Sequence, residues 1–126
     1  MSVDIVLVDD DREIRFLFEA VLDSAGYQVE AFACAEPALE YLGEGGRPRM
    51  IIMDLMMPDI DGREFRRRQL ETAAISDIPF MFVTGVADLN EDLHELGPCA
   101  IIQKPITDVE DFLGQIRACL SECGDG

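Results

Sequence analysis

Residues 50–62 read MIIMDLMMPDIDG. Met50, Ile51, Ile52 and Met53 lead straight into Asp54, and Asp59 and Asp61 follow in a stretch punctuated by Pro58 and Gly62. A short, uniformly apolar run closed by turn residues suits a strand covered on both faces of a sheet. A lone carboxylate is costly to bury, so an aspartate at the end of that strand needs a cation, a set of hydrogen bonds or a proton.

Outward from this stretch the same pattern recurs. DIVLVD (4–9), YQVEAF (27–32), IPFMFVT (78–84) and CAIIQ (99–103) read as further strands. Between them, Ile14, Leu17, Phe18, Val21, Leu22 and Ala25 fall at the spacing of one helix face. Asp10 with Glu13 reads as the capping pair of that helix, and Gly26 as its stop. EPALEYLG (36–43) is a short helix bracketed by Pro37 and Gly43. REFRRRQLE (63–71) is a third helix anchored by Phe65 and Leu70, and 87–96 a fourth, ended by Gly97-Pro98. In TDVEDFLGQIRACL (107–120) the buried face is Val109, Phe112, Leu113, Ile116 and Leu120, with Thr107 and Glu110 as a capping box. Strands alternating with helices predict an α/β fold, a parallel sheet wound on both faces. Residues 1–120 form one domain by this reading, and 121–126 (SECGDG) a frayed end or the start of a linker.

Composition narrows the classes. A chain of 126 residues is the size of one domain with one core, and 48% apolar residues is far above the range of disordered chains. No apolar run reaches membrane-spanning length and the N-terminus is acidic, unlike a signal peptide, so a soluble cytoplasmic protein is expected. A formal net charge of -16 disfavours direct binding to nucleic acid or anionic membranes. Arg63, Arg66, Arg67 and Arg68 run against that balance and read as a solvated helix face. The cysteines at 34, 99, 119 and 123 lack a C-x-x-C pair and have only His94 for company, so they read as reduced thiols that mostly pack.

In a parallel α/β fold, sites form beyond the carboxyl ends of the strands. Those ends carry Asp9, Asp10 and Asp11, then Asp54, then Thr84-Gly85, then Gln103-Lys104-Pro105. Helix capping accounts for one of Asp10 and Asp11. It does not account for Asp54 after an apolar strand, or for Lys104 before a proline. Carboxylates crowded on one rim raise one another's pKa unless a cation joins them, and all-oxygen ligation suits magnesium. A carboxylate can also attack phosphorus and form an acyl phosphate. Lys104 would then neutralise the phosphoryl group and Thr84 donate a hydrogen bond to it.

With VDD after strand one, MDLMMPDIDG after strand three, VTG after strand four and QKP after strand five, the chain resembles the receiver domain of two-component response regulators over residues 3 to about 120. The resemblance implies a doubly wound, flavodoxin-like, five-stranded parallel sheet of order 2-1-3-4-5 with five helices. It implies that Asp54 is the phosphoacceptor. Magnesium would be bound by Asp10 and Asp54 directly, by the backbone carbonyl of Met56, and by Asp9 through water. Thr84, followed by Gly85, would be the switch hydroxyl, and Lys104 the phosphoryl-binding cation. Pro105 matches a Lys-Pro peptide that is commonly cis in the family. Pro58 and Gly62 match the loop after strand three, where Gly62 is expected to take a backbone angle closed to other residues. A sensor histidine kinase or phosphotransfer protein would donate the phosphoryl group, and a downstream protein or an attached output module would receive the signal. A phosphorylation-dependent dimer is compatible with the resemblance; catalysis on other molecules is not expected.

Two departures stand out. Ile101 occupies the position where the family usually carries the switch aromatic, and the segment from Thr84 to Lys104 is about two residues shorter than the common pattern. The phosphorylation chemistry therefore transfers more directly than the signalling surface from helix four to helix five. The resemblance further implies that the residues two beyond Asp54 and Thr84 flank the path of hydrolytic water; here they are Met56 and Val86, both apolar and unable to orient a water by hydrogen bonding. Slow self-dephosphorylation is the expected consequence.

Other readings fit less well. A flavodoxin-like flavin carrier needs a Ser/Thr/Gly-rich loop after strand one, where this chain has DDDRE. A small aspartyl-nucleophile phosphatase needs Thr or Val where Glu13 stands. A calcium loop at DIDG would need acids at the positions of Met57 and Arg68.

Overall fold

The computed structural model describes residues 3–85 and 91–123. Within them the order is β1 (Ile5–Val8), α1 (Arg12–Ser24), β2 (Val29–Phe32), α2 (Ala35–Gly43), β3 (Met50–Asp54), α3 (Gly62–Leu70), β4 (Phe80–Thr84), α4 (Glu91–Glu95), β5 (Ala100–Gln103) and α5 (Val109–Cys123). The strands form one parallel sheet in the order β2-β1-β3-β4-β5, so the flavodoxin-like topology expected above is the one observed. Val86 and the expected first residues of the fourth helix lie outside the described residues.

The three central strands are buried along their whole length, as strands covered on both faces must be. Alternate residues divide between two cores, following the two-residue period of a strand. Val6, Val8, Ile51, Met53, Phe80 and Phe82 face Leu42 of α2, Phe65 of α3 and Leu93 of α4. Ile5, Leu7, Ile52, Met81 and Val83 face Phe18 and Leu22 of α1 and Phe112 and Ile116 of α5. The register aligns Asp54 with Val83 and Thr84 with Gln103, which brings the strand ends to a common edge.

Several local expectations are corrected. The N-cap of α1 is Asp11, which accepts from the amides of Glu13 and Ile14 at 3.0 and 3.1 Å. A cap must sit immediately before the first helical residue to reach those amides, so Asp10 is released from that task. For the same reason Asp108, not Thr107, accepts from the amide of Asp111. Leu17 and Leu70, expected inside, are 53% and 40% exposed. On α3 the interior places go to Arg66 and Gln69, so Arg66 is no part of a solvated face. The last helix continues through Cys123, three residues into the segment expected to be frayed. Cys99 and Cys119, expected as separate thiols, form a disulfide with their Cα atoms 5.6 Å apart. The contact arises because α5 folds back along β5, which the spacing in the chain does not reveal.

Candidate functional site

Each strand of the sheet's centre delivers a polar residue where its apolar run stops. Asp9 follows β1 and is 1% exposed, Asp54 ends β3 and is 8% exposed, and Thr84 ends β4 fully buried. Lys104 follows β5, held in place by its amide, which donates to the carbonyl of Thr84 at 2.8 Å. Its Nζ lies 2.9 Å from Asp9 Oδ2 and 3.2 Å from Asp54 Oδ2. The other oxygen of Asp9 accepts from the Asp11 amide at 2.9 Å. Arg15 Nη1 donates to the Asp9 carbonyl at 2.8 Å, a contact from α1 that no motif signals.

Asp10 is exposed beside this pair. Asp9, Asp10 and Asp54 each offer a carboxylate oxygen, and the three oxygens lie within 4.8 Å of one another. An all-oxygen set of this kind matches the preference of a hard divalent cation. Burial pushes the Asp54 carboxyl above its ordinary pKa, the Lys104 charge opposes that rise, and the Asp9 charge reinforces it. For Lys104, burial works against the ammonium, but the hydrogen bond and charge of Asp9, with Asp54 behind them, win and raise its pKa. The charges are thus incompletely balanced: two buried carboxylates share one lysine.

The loop after β3 wraps the site. Leu55 donates to the Val83 carbonyl at 2.9 Å, and Gly62 to the Leu55 carbonyl at 2.8 Å. The Met56 amide helps hold the Asp54 pKa down against burial, while the Met56 side chain stands 61% exposed. Pro58 is exposed in the same loop. Gly62 is required for a reason other than the one expected. Its backbone lies outside the left-handed region. A Cβ there would meet Leu55 Cα at 3.1 Å and the Asp54 carbonyl at 3.2 Å, so close approach selects glycine. Asp61 caps α3 through the Glu64 amide at 3.0 Å. Asp59 turns away from the site and accepts from the amides of Ala35 and Glu36, a role the sequence reading did not contain.

Gly85 is exposed just beyond Thr84, and the Lys104–Pro105 peptide is cis. Ile101 sits opposite Phe82 on β5 and packs, partly buried, against the core on the α2–α4 side. The structure therefore brings Asp9, Asp10, Asp54 and Lys104 into one cluster and sets Thr84 at the end of the neighbouring strand. Ile101 stays out of the cluster.

Residues 5–117 match the family model for the response regulator receiver domain. Among curated proteins, response regulator MprA of Mycobacterium ulcerans is 34% identical over 122 residues, which cover 95% of this chain and 51% of that protein. MprA of Mycolicibacterium vanbaalenii is 33% identical over the same coverage. The chain thus spans about half the length of these relatives. Among solved structures, the chemotaxis response regulator CheY4 of Vibrio cholerae superposes with a TM-score of 0.82 at 25% identity, covering 94% of this chain and 99% of that one. A CheY-like receiver domain protein from Methanospirillum hungatei reaches 0.84 at 28% identity, covering 97% and 96%.

Proposed function

The chain belongs to the response regulator receiver family, and on that premise we propose that Asp54 accepts a phosphoryl group. The observation that carries this reading is the sharing of one lysine by two buried carboxylates at the strand ends. Lys104 lies 95 residues from Asp9 and 50 from Asp54 in the chain, yet its ammonium reaches both.

In the proposed reaction a phosphohistidine of a sensor kinase or phosphotransfer protein is the donor. An Asp54 carboxylate oxygen attacks phosphorus, the phosphorus–nitrogen bond breaks, and the imidazole leaves with the bonding electron pair. Lys104 opposes protonation of Asp54, which favours the nucleophilic form, and it supplies a positive charge for the phosphoryl oxygens. Asp10, Asp54, the Met56 carbonyl and, through water, Asp9 would hold magnesium, which supplies charge neutralisation between the acids and the transferred group. Thr84, on the adjoining strand end, is the hydroxyl suited to bond the new phosphoryl group, with Gly85 leaving space beside it.

Binding of the phosphoryl group by Thr84 and Lys104 would bias a conformational equilibrium. Ile101 lacks the ring and hydroxyl through which a tyrosine at that place would report the change, so the readout surface is set by other contacts. The reading places the domain in the cytoplasm, acting on a downstream protein or on an attached output module. Among the described residues no helix is long and apolar enough to cross a membrane. The test is phosphotransfer from a labelled histidine kinase to wild type and to Asp54→Asn with magnesium present. Label on wild type alone supports the reading; equal label on both overturns it.

A further inference from the structure

Besides the bond from Leu55 to the Val83 carbonyl and the burial of Ile60 in the core, three contacts hold the loop between Asp54 and α3. Two are local: Gly62 donates to the Leu55 carbonyl, and Asp61 caps α3. The third reaches another element. Asp59 Oδ1 accepts from the Ala35 amide at 3.1 Å and Oδ2 from the Glu36 amide at 2.9 Å, across 24 and 23 residues of chain. These amides belong to the first turn of α2, whose own N-cap, Cys34, makes no side-chain capping bond. A helix start leaves several amides without intrahelical partners. Here a carboxylate from the neighbouring loop meets two of them. Slight desolvation raises the Asp59 pKa, but the amides of Glu36 and Ala35, with those of Ile60 and Asp59 itself, lower it more. The tether is therefore made by the charged form at neutral pH.

Met56 lies between the ladder-bound Leu55 and the tethered Asp59. Its amide favours the ionised form of Asp54, and its carbonyl is the ligand proposed above. Without the α2 tether the hydrogen bonds holding the loop would lie only at its two ends, Leu55 and Asp61–Gly62, and its middle would rest on the apolar packing of Met57 and Ile60. We propose that Asp59 is a positioning residue for the cation site: by binding α2 it holds the β3–α3 loop so that the Met56 carbonyl faces the acid cluster. The inference rests on the magnesium reading of that cluster. Outer-shell partners that orient metal ligands typically matter by about 10- to 100-fold in affinity.

The experiment is calorimetric titration of magnesium into wild type, Asp59→Ala, Asp59→Asn and the double variant Asp59→Ala/Cys34→Asp, with amide hydrogen exchange at Ala35 and Glu36. Asp59→Ala should weaken magnesium binding about tenfold and speed exchange at both amides. Asp59→Asn keeps one acceptor, should fall between wild type and Asp59→Ala, and serves if the alanine variant fails to fold. The double variant replaces both the α2 cap and the lost charge, so it should regain thermal stability and slow exchange while magnesium binding stays weak. Recovery of magnesium affinity in the double variant would overturn the inference, because helix stability or charge alone would then explain the effect. Unchanged affinity in the Asp59 variants, with wild type binding normally, would overturn it too. Wild type that takes up no magnesium would overturn the underlying reading and this inference with it.

Discussion

Two buried polar clusters sit at opposite edges of the same sheet. At the carboxyl edge, Asp9 and Asp54 share Lys104. At the amino edge, near the starts of β4 and β5, Arg66 and Gln69 are 6% and 0% exposed. Arg66 donates to the carbonyls of Leu96 at 2.9 Å and Gly97 at 3.0 Å and to Gln69 Oε1 at 2.7 Å, and its guanidinium lies 5.2 Å from the centre of the Phe80 ring. Gln69 in turn donates to the carbonyls of Ile75 and Ile78 at 2.8 and 2.9 Å. The partners in these contacts are main-chain carbonyls and an amide, groups that do not titrate. The carboxyl edge is built from titratable side chains instead, with like charges set side by side. The first arrangement fastens α3 to the turns before β4 and β5. The second leaves charge to be taken up by something that binds.

Substitutions can break this contrast, and the largest effect is expected at the amino edge. Arg66→Ala strands several carbonyls and empties space over Phe80, so urea unfolding should show a loss of about 3 kcal/mol, while Asp54 of the folded fraction still takes phosphate. Lys104→Met leaves Asp9 and Asp54 facing each other without their cation. It should cost roughly 2 kcal/mol near pH 7, and the cost should shrink on acidification as Asp54 takes a proton. The sign for Lys104 follows from its raised pKa: its stabilisation is complete below the unfolded value of about 10.4 and fades as pH rises through the higher folded value.

The two smaller effects sharpen the claim that the carboxyl edge is unfinished without a ligand. Magnesium at about ten times its dissociation constant should stabilise the wild type by about 1.4 kcal/mol, with little effect on Asp54→Asn. In metal-free buffer Asp54→Asn should itself be more stable than wild type at pH 7, on the scale of roughly 0.5–2 kcal/mol seen for single stabilising changes at costly sites. Because the folded Asp54 holds its proton more tightly than the unfolded chain does, the wild-type deficit should vanish below about pH 3.9 and grow as pH rises through the folded value. A wild type no less stable than Asp54→Asn at pH 7 would show that the cluster is structurally satisfied, like its counterpart at the amino edge.

The carboxyl edge was legible before any coordinates because its logic is local. Apolar runs end in polar residues, and parallel topology brings all those ends to one edge. The gathering of Asp9, Asp10, Asp54 and Lys104 follows from that, whereas the strand order was implied by the family resemblance. The amino edge was not legible. Arg66 stands among Arg63, Arg67 and Arg68, and nothing in that run marks which arginine turns inward. That depends on where the Leu96 and Gly97 carbonyls lie, some 30 residues on. Asp59 was hidden for the same reason, since its partners Ala35 and Glu36 belong to a helix 23 or 24 residues earlier. Capping was misplaced by one residue at both Asp11 and Asp108, because composition marks a helix start only to within a residue or two.

The most direct test is to locate the phosphoryl group. Wild-type protein is phosphorylated with magnesium present, the acyl phosphate is trapped by hydride reduction, and the peptides are mapped by mass spectrometry. Reduction confined to Asp54, and lost in Asp54→Asn, is the predicted result. Trapping at Asp9, at Asp10 or at no aspartate would contradict the account.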